Sequence, residues 1–289
     1  MTPRASRRLD FRDHRRELGD NRYVYAVVSR RAAGLSIGLN LNPDRVCNFN
    51  CPYCQVDRTP EGLAEAGRQP RAVDVRRLEA ELDALLAWVA DGSLWTRAPF
   101  DTAPLALRRV SDIAFAGDGE PTSSRAFPAA VEAVRRVRDA AGLATTPTRL
   151  LTNATLLHRA SVRAALPGID SIWAKLDAGT ERYFQRVDGT TFPFARVLAN
   201  LTSLAIERPI TLQCMFLSLD GAGPTPVEID TWVRRITDIR AAGGHIEGVQ
   251  VYTVARKPSA PEVGSLPIDA LEAIANAVRR EGFEAEVYG

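Results

Sequence analysis

Lysine is almost absent from this chain of 289 residues: Lys175 and Lys257 are its only two, and arginine carries nearly all the positive charge. Together with abundant alanine, that bias fits coding composition better than a dedicated binding surface. The net charge of +2 is too small to argue for a nucleic-acid partner by itself. Histidine is also scarce, with His14, His158 and His245 far apart, so no histidine-rich metal site is readable. No run of 18 apolar residues exists, which excludes a membrane-spanning helix. The basic N-terminus is not followed by an apolar stretch, so it does not read as a secretory signal. Cysteine occurs four times, too few in this length for a disulfide framework. Clustered thiols without an export signal suggest a metal site in a reducing cytoplasm.

What remains is the composition of an ordinary globular protein, with 45% apolar and 25% charged residues. Residues 1–34 read as an N-terminal arm, rich in arginine and carrying Asp10, Asp13 and His14. It is either a solvated extension or a basic arm over a substrate such as RNA. Residues 35–289 read as one domain in which strands and helices alternate. Strands are expected at 35–43, 110–117, 148–154, 170–178, 209–218 and 248–256, with another at the C-terminus. Helical periodicity covers 76–92, 124–142, 157–166, 180–187, 194–207, 226–244 and 267–282. Six strands alternating with helices imply parallel βαβ units. The architecture is either a doubly wound sheet or an incomplete (β/α)6 barrel with outer helices. In both, ligands sit at the carboxyl ends of the strands.

Three of the four cysteines, Cys47, Cys51 and Cys54, lie in "VCNFNCPYC", directly after the first expected strand. The spacing is C-x3-C-x2-C. A closed structural zinc site takes four ligands, commonly from two separate pairs, and no second pair exists here. Iron–sulfur clusters also ordinarily take four thiolates. Three thiolates leave one iron of a cubane open to an exogenous chelator. Asn48, Phe49, Asn50, Pro52 and Tyr53, interleaved with the thiols, suit a loop wrapped around such a cluster.

The pattern C-x3-C-x-aromatic-C, with Tyr53 as the aromatic, resembles the radical S-adenosylmethionine superfamily, and the resemblance extends over residues 35–255. It implies a partial (β/α)6 barrel and a [4Fe–4S] cluster on Cys47, Cys51 and Cys54. It also implies S-adenosylmethionine bound through its amino and carboxylate groups at the fourth iron. One electron from the reduced cluster would cleave the sulfonium to methionine and a 5′-deoxyadenosyl radical, which abstracts hydrogen from a substrate.

"FAGDGEPTSS" (115–124) places Gly117, Asp118, Gly119 and Glu120 after the second strand, with Pro121 enforcing a turn. Glycines allow close backbone approach to a ligand, and the adjacent carboxylate can receive an ammonium. The passage resembles the family's GGE motif, with Asp118 in place of the first glycine. Thr152 and Asn153 end the third strand, and the resemblance implies contact with the cofactor's carboxylate or ribose. Lys175 and Asp177 share one face of the fourth strand. They are either a structural ion pair or, as in activating-type radical enzymes, a contact to cofactor or substrate. In "ITLQCMFL", alternation puts Thr211, Gln213 and Met215 on the interior face and Leu212, Cys214 and Phe216 toward the helices. Gln213 is thus a candidate cofactor contact, and Cys214 reads as packing rather than a fourth cluster ligand. Gln250, Tyr252 and Arg256 extend the interior set, and Arg256 is either a clamp for a substrate anion or a surface residue.

Within the family, "GEPT", "LLTNATLL", "KLDAGTER" and "VQVYTVARKP" look most similar to small wybutosine-type tRNA-modifying oxidoreductases and to glycyl-radical-enzyme activators. The cysteines needed for an auxiliary cluster or for cysteine-dependent methyl transfer are missing. The reading is therefore a single-cluster oxidoreductase or lyase. It would be served by an electron donor such as flavodoxin or ferredoxin and act on a small molecule, an RNA or a protein. Two readings from other classes stay open: a non-catalytic iron–sulfur electron carrier, and a zinc-binding nucleic-acid module.

Overall fold

A computed structural model describes residues 18–29, 34–67, 72–256, 258 and 260–289. The charged part of the expected N-terminal arm, with Asp10, Asp13 and His14, lies outside them. In chain order the elements begin with β1 (Val24–Ser29), β2 (Gly34–Leu39), α1 (Pro60–Ala66), α2 (Val75–Ala90), β3 (Val110–Phe115) and α3 (Phe127–Ala140). They continue with β4 (Thr148–Thr152), α4 (Ala160–Ala165), β5 (Ser171–Lys175), α5 (Glu181–Asp188), α6 (Phe194–Glu207) and β6 (Ile210–Met215). The last are β7 (Leu217–Leu219), α7 (Pro226–Ala241), β8 (Ile246–Tyr252), β9 (Val263–Ser265), α8 (Ile268–Arg280) and β10 (Ala285–Tyr288).

Eight strands form one sheet in the order β1-β2-β3-β4-β5-β6-β8-β10, and β7 and β9 form a separate antiparallel ribbon. All pairings from β2 to β10 are parallel, and only β1 runs antiparallel, against β2. The chain crosses back through a helix between most parallel neighbours, as parallel pairing requires. The sheet has two ends and does not close, so the barrel is partial.

The side chains sort by the two-residue period of the strands. Leu35, Ile37 and Leu39 of β2, Ile113 and Phe115 of β3, and Leu212 and Cys214 of β6 belong to the buried apolar core beneath the helices. That core is anchored by large side chains such as Trp232 of α7, which is fully buried and packs edge-on against Phe216. Burying one such side chain contributes about 1.5–3 kcal/mol. The other face curls around a cavity of 160 Å³ lined by Ser36, Gly38, Asp112, Trp173, Met215 and Tyr252, among others. Strands from opposite ends of the sheet meet there, since Tyr25 of β1 and Tyr288 of β10 line the same cavity.

Two differences from the sequence reading have local causes. Residues 24–29, placed within the arm, are a strand, buried from Val24 to Val28, whose register against β2 pairs Val24 with Leu39. The entry to this strand is fixed by Glu81 of α2, whose carboxylate accepts from the N–H groups of Arg22, Tyr23 and Val24 at 2.8–3.1 Å. The segment expected as one strand at 209–218 divides between β6 and β7 at Phe216, where the chain leaves the main sheet.

Candidate active site

The thiols lie on the segment that leaves β2. Its entry is tied down by Asn40, whose Oδ1 accepts from the N–H of Asn42 at 3.0 Å and of Asp118 at 3.1 Å. The Asn40 amide nitrogen donates to Asp118 Oδ2 at 2.7 Å. Beyond the entry, Phe49 is buried and packs edge-on against Phe184 of α5 at 5.6 Å. The Asn50 N–H donates to the carbonyls of Asp188 and Gly189 at 3.3 and 3.2 Å. Gly189 caps α5 at φ +56°, and a Cβ there would stand 2.0 Å from the Asn50 carbonyl. Only glycine meets both demands. The Pro52 carbonyl accepts from Ala260 N–H at 3.1 Å, so the loop is also held by the segment after β8.

Each thiol has a different neighbour. Cys47 Sγ receives the Phe49 N–H at 3.5 Å. Cys51 Sγ lies 3.7 Å from Asp188 Oδ1. Cys54 Sγ receives a guanidinium N–H of Arg58 at 2.8 Å. Burial pushes the Cys47 thiol up, and it pushes the Cys51 thiol well above its ordinary range; nearby Lys175 pulls Cys51 down and Asp188 and Asp177 push it further up. A coordinated cation reverses that balance, since a ligating thiol is deprotonated outright.

Glu120 stands across from the loop, buried at 3% exposure. Its Oε1 accepts from the Thr122 hydroxyl at 2.5 Å, the Thr122 N–H at 3.2 Å and the Thr152 hydroxyl at 2.7 Å. Its Oε2 accepts from the Asn153 N–H at 2.7 Å. Burial raises the Glu120 pKa and these donors hold it down. A carboxylate offers about four acceptor positions, and Oε2 has a single donor, so it keeps a position for a ligand's ammonium. The glycines beside it are sterically required. A Cβ at Gly117 would meet Asn40 Oδ1 at 2.4 Å, and one at Gly119 would meet the Val46 carbonyl at 2.3 Å.

Asn153 and the cysteine loop are joined by side chains. The Asn153 amide donates to Asn48 Oδ1 at 2.8 Å, the Asn48 amide donates to Thr155 Oγ1 at 2.7 Å, and Thr155 Oγ1 donates to Asn153 Oδ1 at 2.7 Å. The three side chains close a ring.

On the side of Cys51 lies a buried charge cluster. Lys175 Nζ contacts Asp177 Oδ2 and stands 2.8 Å from Asp188 Oδ1. The Tyr53 hydroxyl donates to Asp177 Oδ2 at 2.5 Å, and the Met215 N–H donates to Asp177 Oδ1 at 2.9 Å. The ammonium also lies 4.5 Å from the Tyr53 ring centre. Burial opposes the Lys175 charge, but the two carboxylates outweigh it and hold the pKa well above the ordinary value. Burial pushes Asp188 up to about 7. Asp188 Oδ2 is buried with no hydrogen-bond partner, as is Asn42 Oδ1 at the loop entry.

Further inside, Gln213 donates to Gln250 Oε1 at 2.9 Å, in register with Lys175 on β5. Thr211 lies deeper, 3.3 Å from Glu247 Oε2, while Met215 and Tyr252 line the cavity. Arg256 donates to Gln55 at 2.8 Å, at the cavity wall nearest the cysteine loop. Cys214 is fully buried in the apolar core, with its thiol against Trp232, on the opposite face of β6 from Gln213. The candidates from the sequence therefore gather at the carboxyl ends of β2 to β6, and Cys214 does not join them. Asp188 and Arg58 are additions that sequence reasoning missed.

The donor set fits an open cluster. Among the described residues no three His, Cys, Asp or Glu side chains converge on a single metal ion, whereas a cubane takes its thiolates on separate irons. The remaining acceptor position on Glu120 and the orphaned oxygens of Asn42 and Asp188 are polar features suited to a small zwitterion beside the thiols.

A family model described as the Radical SAM superfamily matches residues 41–217. The chain is 27% identical over 175 residues to a protein named GTPase Obg from Brachyspira hyodysenteriae, covering 60% of this chain and 21% of that one. It is 28% identical over 166 residues to a UPF0026 protein from Helicobacter pylori strain 26695, covering 57% and 46%. The chain thus spans less than half the length of either. Among solved structures, a radical SAM methyltransferase from Sphaerobacter thermophilus superposes with a TM-score of 0.60 at 14% identity, covering 92% of this chain and 68% of that one. TYW1 with a lysine-pyruvate adduct bound superposes with a TM-score of 0.51 at 14% identity, covering 86% and 74%. At these identities the structural likeness is one of fold.

Proposed function

The chain belongs to the radical SAM superfamily, whose members use a [4Fe–4S] cluster and S-adenosylmethionine, and we propose that it is a single-cluster enzyme that starts a reaction by hydrogen-atom abstraction. Cys47, Cys51 and Cys54 would hold the cluster. Glu120 would receive the cofactor's ammonium, and Thr152 and Asn153 would face its carboxylate or ribose. When bound and reduced, the cluster would supply the one electron, and the cofactor the sulfonium that accepts it, for the radical chemistry.

The chain's own residues would bind, orient and exclude water. Gly117 and Gly119 let the segment that carries Glu120 pack directly on Asn40 and on the Val46 carbonyl. The Asn48–Asn153–Thr155 ring sets the distance between the cysteine loop and the strand that carries the ribose contact. Tyr53 and Lys175 cover the inner side of the loop. With two carboxylates about it, Lys175 stays an ammonium, so it orients and neutralises anions rather than acting as a free amine nucleophile. Gln213 and Gln250 close the floor between the cofactor position and the cavity. Its 160 Å³ suit a small molecule or a single side chain of a larger substrate. The electron would come from a carrier such as flavodoxin or ferredoxin in the cytoplasm. No helix among the described residues is long and apolar enough to cross a membrane.

The observation that carries this reading is the convergence of the three-cysteine loop with the strand ends of β3, β4 and β5, through Asp118, Asn153 and Asp177. A bare electron carrier needs neither the buried polar wall nor the cavity. Anaerobic reconstitution should load about four irons and four sulfides per chain. Dithionite and S-adenosylmethionine should then release 5′-deoxyadenosine, and Cys51→Ala should abolish the release. A single zinc per chain, or release that survives Cys51→Ala, would refute the reading.

A further inference from the structure

We propose that Arg58 sets the reduction potential of the cluster by donating a charged hydrogen bond to the sulfur of Cys54. The inference rests on the assignment of Cys47, Cys51 and Cys54 as cluster ligands. Arg58 is not a free surface arginine. Its three guanidinium nitrogens are each engaged with a different segment: Nη1 with Cys54 Sγ at 2.8 Å, Nη2 with the Asp118 carbonyl at 2.5 Å, and Nε with the Arg45 carbonyl at 3.0 Å. A planar fork held at three points has one orientation. One of its edges faces the sulfur.

The other two thiols lack such a partner. Cys47 receives a neutral backbone N–H, and Cys51 faces the Asp188 carboxylate. The surroundings of the three ligands are therefore unequal: Lys175 acts on Cys51 through its charge, whereas at Cys54 a cation is hydrogen-bonded to the sulfur itself. Uptake of one electron makes the cluster more negative by one charge, and no proton need accompany it. A cation hydrogen-bonded to a ligand sulfur stabilises the reduced state more than the oxidised one, and so raises the potential. Glu120 and Asp188, both buried near the thiols, act in the opposite sense when ionised. Lys175 offsets Asp188 directly, and Arg58 is then the counterweight that touches a ligand sulfur and keeps the centre within reach of a biological one-electron donor. Its bond to Asp118 joins that counterweight to the segment carrying Gly119 and Glu120, so a ligand pressing on this segment would also act on the guanidinium.

The test is a potentiometric titration of the anaerobically reconstituted full chain, followed by the electron paramagnetic resonance signal of the reduced cluster. Iron and sulfide are assayed first in every sample. In Arg58→Gln the midpoint should fall below that of the unmodified protein, and in Arg58→Lys it should fall less, since the charge remains without the fork. Both variants carrying full iron at an unchanged midpoint would overturn the inference and leave the cluster assignment standing. Unmodified protein that takes up no iron would overturn the assignment itself. Should Arg58→Gln fail to hold a cluster, Arg58→Lys decides alone. Loss of iron from both variants would show that Arg58 serves assembly, which also overturns the inference.

Discussion

The side-chain amide of Asn153 donates to the side-chain carbonyl of Asn48 at 2.8 Å, across 105 positions of sequence. This bond makes the cysteine loop and the end of β4 a single unit. Asn48→Ala removes two hydrogen bonds of the ring, and each is worth about 1 kcal/mol. The melting temperature should fall by about 2–4 °C for each kcal/mol lost. A double-mutant cycle of Asn48→Ala with Asn153→Ala should return a coupling of about 1 kcal/mol. Strict additivity would mean that the bond does not couple the two segments.

Glu120→Gln should leave iron content unchanged and weaken S-adenosylmethionine binding by about tenfold or more, the effect of losing roughly 1.4 kcal/mol of charge pairing. An iron assay reads the first quantity and equilibrium dialysis the second. Burial raises the Glu120 pKa above its ordinary value of 4.5, and only the ionised form attracts an ammonium. Affinity should therefore be full near neutral pH and decline as the pH is lowered through the raised value. The Gln variant should lose that component of the pH dependence. An unaltered affinity in Glu120→Gln would place the ammonium elsewhere.

Lys175→Met leaves Asp177 and Asp188 buried without their cation. Breaking a buried pair in this way costs about 3–5 kcal/mol. Lys175→Met combined with Asp188→Asn should recover part of the loss, because one uncompensated charge is removed. Chemical denaturation of the metal-free protein measures both. If the single variant is as stable as the parent, the cluster carries no net charge pairing.

Much of this architecture is legible in the residues. β2, β3, β4 and β5 each present a short apolar run with polar residues at the carboxyl end, where Asn40, Glu120, Asn153 and Lys175 emerge. β1 was hidden because its first-strand pattern, "VYAVVS", follows a segment dominated by arginine, and its partner on α2, Glu81, is 57 positions away. Asp188 was hidden for a different reason. An acidic residue followed by glycine reads as an ordinary helix end, and only the docking of α5 on the loop turns its side chain toward Lys175 and Cys51. Arg58 is one arginine among many, and nothing in its neighbours announces a contact with sulfur four residues earlier.

The short segment bearing the thiols takes its hold from distant stretches: Asn153 and Asp177, then Asp188, and last Ala260. Its shape therefore depends on parts made late in synthesis. A chain that stopped short of residue 260 would keep the earlier holds and lack the last, the Ala260 N–H on the Pro52 carbonyl. The proposed cluster receptor is therefore completed by the segment after β8 and not by the loop alone.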